Sequence, residues 1–320
     1  MKLCIIGAGA FGTALANVVA SKKNIILLYS IEREVVCSIN NEHVNSKYFP
    51  GIKLNSHITA TLRKQDLAKY PIIFVAIPSS AILDSFLSFK NYLNPHSLVV
   101  NLSKGFGKNN KTIYETLNSI IPNPLASLKG PSFARELIHG LPTSLTFASN
   151  DFKNFEVIQK LFLGSRILVD YTDDILGVEL VSAMKNIYAI IIGIVDALFN
   201  SANVRFLVLC NAINEMKSLL VLLNAKEDTL FKYCGIGDLA LTSLNDLSRN
   251  RTLGLLIGKG FYSKSMKSSV VLEGVRSVQC VLSRIPKNFD SRSLMITKLD
   301  SLFRGNICVE KFVDSLFEMK

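Results

Sequence analysis

The residues best suited to chemistry are two lysines, an aspartate and a basic cluster. Lys185 lies inside a run where Leu176, Leu180, Met184, Ile187, Ile191 and Ile194 recur at helical spacing. The positions three and four away on that helix are Val181, Ser182, Tyr188 and Ala189, none of which offers a carboxylate. An ammonium held there is desolvated, which lowers its pKa towards the range useful for proton transfer. The alternatives are a lysine that snorkels to water or pairs with a distant acid. Lys104 follows the apolar run 98–102 in Ser103-Lys104-Gly105, a loop at the carboxyl end of a strand, where open α/β sheets bind ligands. It reads either as solvated or as functional. Asp238 stands in Gly235-Ile236-Gly237-Asp238-Leu239, a break between helical segments. Ser248-Arg249-Asn250-Arg251-Thr252 gathers two guanidinium groups with hydrogen-bonding side chains. Such a set binds phosphate, or forms a solvated basic turn.

A second chemistry is written at the start of the chain. The apolar run 3–6 ends in Gly7-Ala8-Gly9-Ala10-Phe11-Gly12 and continues into an Ala-rich stretch. Strand, tight turn and helix are expected there. One glycine makes the turn, one admits a pyrophosphate to the backbone, and one lets helix and strand pack closely. The exposed N–H groups of the new helix face the anion. After a second apolar run, 25–29, comes Ser30-Ile31-Glu32-Arg33-Glu34, where the adenosine ribose would be recognised. Glu32 would accept from a ribose 2′-OH, whereas Arg33 would welcome a 2′-phosphate. All three charges also suit the solvated start of a helix.

These groups need scaffolding that the rest of the pattern supplies. The runs 72–77 and 98–102 are continuous and apolar, as parallel strands covered on both faces should be. The segment 128–136, with Gly130-Pro131-Ser132, reads as a turn whose serine caps the next helix. Two more β-rich runs, 143–148 and 167–171, follow. After Asp174 the pattern is nearly all helical.

Composition narrows the classes. The chain has 320 residues, 49% of them hydrophobic, enough for two cores. The apolar stretch 187–195 is bounded by Lys185-Asn186 and Asp196, short of the roughly 20 apolar residues of a membrane span, so a buried helix and no stable membrane insertion are expected. No basic leader precedes the first strand, and a cytoplasmic setting is expected. The six cysteines form no C-x-x-C pair and the four histidines have no ligand spacing, so reduced thiols and no metal are expected. The net charge of +11 attracts anions. Its lysines are dispersed, which suits a small phosphorylated molecule better than nucleic acid.

Taken in order, these motifs resemble the NAD(P)-dependent glycerol-3-phosphate dehydrogenases of the bacterial type. The resemblance rests on 7–16, 103–105, Gly130-Pro131-Ser132-Phe133-Ala134, Lys185-Asn186, 235–239, 248–251 and Glu273-Gly274-Val275. It implies an α/β Rossmann-type N-terminal domain with a parallel-rich sheet, residues 1–180, and an all-α substrate-binding domain, residues 181–320. It implies reversible hydride transfer between NAD(P)H and dihydroxyacetone phosphate, giving sn-glycerol 3-phosphate for phospholipid synthesis. Lys185 would be proton donor and acceptor, with Lys104 beside the substrate and Asp238 orienting Lys185. Gly130, Ser132, Lys185, Asp238, Ser248, Arg249 and Asn250 would join Lys104 in substrate binding. The cofactor would meet Gly7, Gly9, Ala10, Phe11, Gly12, Glu32, Arg33, Lys104, Ala134, Arg249, Val271 and Glu273. Three departures stand out. Ala10 occupies a position where the family commonly has serine or asparagine. Lys129 replaces a small residue, without a functional account. Ile31-Glu32 stands where bacterial relatives often have a basic residue, which favours NAD over NADP. The apolar C-terminal helices suggest a homodimer.

Overall fold

A computed structural model of the chain describes residues 1–21, 23–261 and 273–318. They form two compact units: Met1–Ser103 with Ile113–Ile175, and Lys104–Thr112 with Leu176–Lys320. The division falls at Ile175, where 180 is the expected boundary, and the short segment 104–112 belongs with the helical unit.

The first unit is built on one sheet. Its strands are β1 (Lys2–Ile6), β2 (Ile25–Tyr29), β3 (Ile58–Thr61), β4 (Ile72–Val75), β5 (Leu98–Asn101), β6 (Leu125–Lys129), β7 (Thr143–Ser149) and β8 (Ile167–Thr172). The order is β3-β2-β1-β4-β5-β6-β7-β8. Every neighbouring pair is parallel except β6 with β7. The helices are α1 (Ala10–Val19), α2 (Arg33–Glu42), α3 (Ile82–Phe89), α4 (Ile113–Asn118), α5 (Ala134–Leu137) and α6 (Phe152–Phe162).

Alternation along the strands explains why they read as unbroken apolar runs. Leu3, Ile5, Ile26, Leu28, Phe74 and Val100 pack with Leu15 of α1, Ile39 of α2 and Leu161 of α6. Cys4, Ile6, Leu27, Ile73, Val75 and Val99 point the other way, onto Phe86 of α3 and Leu117 of α4. Each face thus has its own core, as a parallel sheet requires. Strand order reverses between β1 and β4, the kind of place where such sheets bind ligands beyond their carboxyl ends.

The second unit is helical: α7 (Ile175–Phe199), α8 (Ala202–Leu222), α9 (Asp238–Leu244), α10 (Arg249–Gly258), α11 (Glu273–Leu282), α12 (Met295–Arg304) and α13 (Val309–Phe317). By length and composition α7 could cross a membrane, but its apolar window is wholly buried inside the protein. Two glycines let α10 approach α7 at backbone distance. A Cβ at Gly254 would stand 2.1 Å from the Ile190 carbonyl oxygen, and one at Gly193 would stand 2.4 Å from that of Arg251.

Candidate active site

Lys185 occupies the middle of α7 with its side chain 3% exposed. The acid missing three and four positions away on α7 comes from α9. Asp238 opens that helix directly after a wide turn over Tyr233–Gly237, where a helix N-terminus favours a carboxylate. Its Oδ1 lies 2.5 Å from Lys185 Nζ and its Oδ2 lies 3.0 Å from Lys104 Nζ, with the carboxylate 1% exposed and Lys104 26%. One buried carboxylate therefore bridges two ammonium groups.

The electrostatics follow from that geometry. Burial does most to lower the Lys185 pKa, the Lys104 charge adds to it, and the Asp238 carboxylate opposes both. The net result is a fall from 10.5 to about 7. Burial by itself pushes the Asp238 carboxyl up, but the two ammonium groups outweigh it and hold the carboxyl below its ordinary value. The set thus combines an ionised acid with a lysine able to gain or lose a proton near neutrality.

The basic cluster is divided by the fold. The Ser248 hydroxyl caps α10, accepting from the Arg251 N–H at 3.3 Å, and Arg249 is exposed on the first turn. Arg251 is a structural residue: its guanidinium donates to Asp196, to Asp246 and to the Ser243 carbonyl. Only Arg249 of the two arginines therefore presents its side chain outward. Asn250 is buried and its Oδ1 accepts from the Gly274 N–H at 3.3 Å. Beside Lys185 in sequence, Asn186 is also buried, and its Nδ2 has no hydrogen-bond partner among the described residues. Burying an amide donor unpaired costs about 1–3 kcal/mol, so this donor is a candidate for an anionic ligand. The sequence marks Asn186 only as Lys185's neighbour.

In the first unit the glycine loop has the shape a dinucleotide needs. Gly7 has φ +115°, and a Cβ there would lie 2.4 Å from the Ala76 carbonyl oxygen at the end of β4. A Cβ at Gly12 would lie 2.0 Å from the Gly7 carbonyl oxygen, whereas one at Gly9 would meet nothing within 4 Å. Two glycines close the turn and the middle one leaves the backbone open. Ala10 and Phe11 form the first turn of α1, which has no side-chain cap to occupy its N–H groups. At the end of β2, Glu32 accepts from the Tyr48 hydroxyl at 2.9 Å and from Lys47. Those two donors hold its carboxyl below the usual range, so it is an anion at neutral pH. Arg33 is exposed at the start of α2. Lys47 and Tyr48 carry no local signal in the sequence; the fold brings them to Glu32.

The glycine-proline turn departs from expectation. Ser132 does not cap the next helix. Its hydroxyl donates back to the Gly130 carbonyl at 3.1 Å, and the N-cap of α5 is Phe133, without a side-chain bond. Ala134 is the first residue of α5. Gly130 admits β7, since a Cβ there would lie 2.5 Å from the Ser144 carbonyl oxygen. Val271 lies outside the described residues, as does the Glu273 side chain.

Comparison with known proteins agrees with this architecture. Residues 2–155 match the NAD-dependent glycerol-3-phosphate dehydrogenase N-terminus and residues 174–314 match its C-terminus. The chain is 35% identical to a glycerol-3-phosphate dehydrogenase [NAD(P)+] from Halothermothrix orenii, covering 88% of this chain and 83% of that one. It is 32% identical to the chloroplastic glycerol-3-phosphate dehydrogenase [NAD(+)] of Oryza sativa subsp. japonica, over 99% of this chain and 74% of the relative. The crystal structure of glycerol-3-phosphate dehydrogenase from Coxiella burnetii superposes with a TM-score of 0.88, at 29% identity and 99% coverage of both chains. These matches define the class as an NAD(P)-dependent oxidoreductase. The chain belongs to the NAD-dependent glycerol-3-phosphate dehydrogenase family.

Proposed function

We propose that the chain catalyses reversible hydride transfer between NAD(P)H and dihydroxyacetone phosphate, with Lys185 as the proton donor and acceptor. The observation that carries this reading is the buried Lys185–Asp238–Lys104 set. When bound, NAD(P)H would supply the hydride for the carbonyl carbon C2. Lys185 gives its proton to the carbonyl oxygen, where negative charge develops, and sn-glycerol 3-phosphate is formed. Lys104 adds positive charge, and Asp238 keeps Lys185 oriented and favours its charged form. Arg249, Asn250 and the Asn186 amide are suited to hold the phosphate, which orients the substrate away from the reacting carbon. Gly7, Gly9 and Gly12 would receive the pyrophosphate, and Glu32 the ribose.

The direct test is oxidation of NADH and NADPH with dihydroxyacetone phosphate as substrate. Turnover is expected with both, and NADH should be favoured because the Glu32 carboxylate repels a 2′-phosphate. NADPH used about tenfold better would overturn that preference, and no turnover with either would overturn the reaction.

The pH dependence should have opposite signs in the two directions. Reduction needs protonated Lys185, so its kcat should fall as pH rises through about 7. Oxidation needs the neutral amine, so its kcat should rise over the same range. Parallel pH profiles in both directions would exclude Lys185 as the titrating group.

The cellular reading extends the same proposal. Glycerol 3-phosphate would supply phospholipid synthesis, and the six free cysteines suit a reducing cytoplasm. A homodimer is supported by Leu198, Phe199, Phe206 and Leu207, large apolar side chains exposed where α7 gives way to α8. A monomer in sedimentation equilibrium at micromolar concentration would contradict it.

A further inference from the structure

Lys129 is a charged residue in an unusual place. It is the last residue of β6, is 2% exposed, and ranks among the largest fully buried side chains. Its ammonium donates to the Asn101 carbonyl at 3.1 Å and to the Ser103 carbonyl. A buried ammonium is costly to desolvate, so its bonds identify the atoms it serves. Both carbonyls lie where β5 leaves the sheet.

Ser103 is gripped from every side. Its N–H donates to Asn101 Oδ1 at 2.9 Å, and its carbonyl also receives Asn101 Nδ2 at 3.3 Å. Its hydroxyl donates to the Ile77 and Val75 carbonyls beside the end of β4. The residue joined to that fixed carbonyl by the next peptide bond is Lys104, whose ammonium reaches Asp238. Of the groups holding the Ser103 carbonyl, Lys129 is the cation, and charge-assisted bonds are roughly twice as strong as neutral ones.

We propose that Lys129 is a positioning residue for the dehydrogenase reaction, fixing the Ser103 carbonyl whose peptide bond carries the chain into Lys104. This rests on the reading of Lys104 as a group of the active site. Lys129 touches neither substrate nor cofactor in this role. Its contribution is geometric, and a misplacement of about 1 Å in a reacting group can cost about a hundredfold in rate.

A double-mutant cycle in the full-length enzyme tests this. The variants are Lys129→Met, which keeps the length and removes the donor, Lys104→Met, and the two together. Active-site concentration is set by NADH titration, and kcat, KM and melting temperature are measured for each. Lys129→Met is expected to lower kcat about tenfold, with the KM for NADH within about twofold of wild type, and to have little further effect in the Lys104→Met background. A purely structural lysine would lower the melting temperature and leave the kcat of the folded enzyme unchanged, which overturns the proposal. An equal loss in both backgrounds also overturns it, because Lys129 would then act independently of Lys104. If Lys104→Met leaves kcat unchanged, the reading of Lys104 fails and the proposal with it. If Lys104→Met lowers kcat while Lys129→Met does not, the Lys129 proposal alone has failed. Should Lys129→Met not fold, Lys129→Gln enters the same cycle. Its amide keeps a neutral donor, and kcat is expected between wild type and the Lys104→Met level; wild-type kcat would overturn the proposal.

Discussion

Lys185→Ala should lower kcat in both directions by about a thousandfold while leaving the NADH dissociation constant within about twofold of wild type. The size follows from the role proposed for the residue, to place a proton at the developing alkoxide, for which general acid catalysis is worth about a hundred- to ten-thousandfold. Cofactor affinity should survive because Gly7, Gly9, Gly12 and Glu32 belong to a separate sheet-based unit. The fold should survive as well, since Asp238 keeps Lys104 as a partner at 3.0 Å. Kinetics in both directions with fluorescence titration of NADH would check this. Activity near wild type would remove Lys185 from the mechanism.

Asp238→Asn should have the larger effect on stability and a directional effect on rate. The carboxylate is 1% exposed, and removing it takes away the negative charge that both ammonium groups share. Loss of one partner from a buried ion pair typically costs about 3–5 kcal/mol. The protein can relieve part of that by releasing the Lys185 proton, because the one charge that opposes deprotonation has gone. Reduction at neutral pH should therefore collapse, and the pH at which oxidation begins to rise should move down. Urea denaturation and paired pH-rate profiles would measure both. An unchanged pH profile would show that Asp238 does not govern the lysine.

The parts of this molecule legible in the sequence are those encoded by neighbours. Gly7, Gly9 and Gly12 act within one turn, so their spacing contains the loop. Continuous apolar strands and the helical spacing of α7 carry the two units in the same way. Lys185 stood out as a charge in apolar surroundings, and its relation to Asp238 came from the family resemblance, since the spacing alone does not contain it. Lys104 and Asp238 are 134 positions apart, which no local pattern can report. Arg251 shows the reverse case. Beside Arg249 and Asn250 it looked like part of a phosphate site, yet Asp196, 55 positions away, engages it in the interior. Ser132 was expected to cap a helix because its chemistry suits the task, but its hydroxyl turns back to Gly130. Composition and spacing describe what a side chain can do; the competing partner decides what it does.

The short segment 104–112, which leaves the sheet unit to join the helical one, bears on how the chain is made. Its anchors are Arg276, which donates to the Gly107 carbonyl, and Cys280 and Arg284, which reach Asn110 at 3.3 and 3.1 Å. These partners are synthesised 169 to 174 residues later. At about 5–20 residues per second, the loop bearing Lys104 emerges from the ribosome on the order of ten seconds before these three partners do. The nucleotide-binding sheet can assemble in that interval, but the loop bearing Lys104 gains these anchors only when nearly the whole chain is made. A protein truncated after the sheet would keep the cradle for a dinucleotide and lose the means to use it.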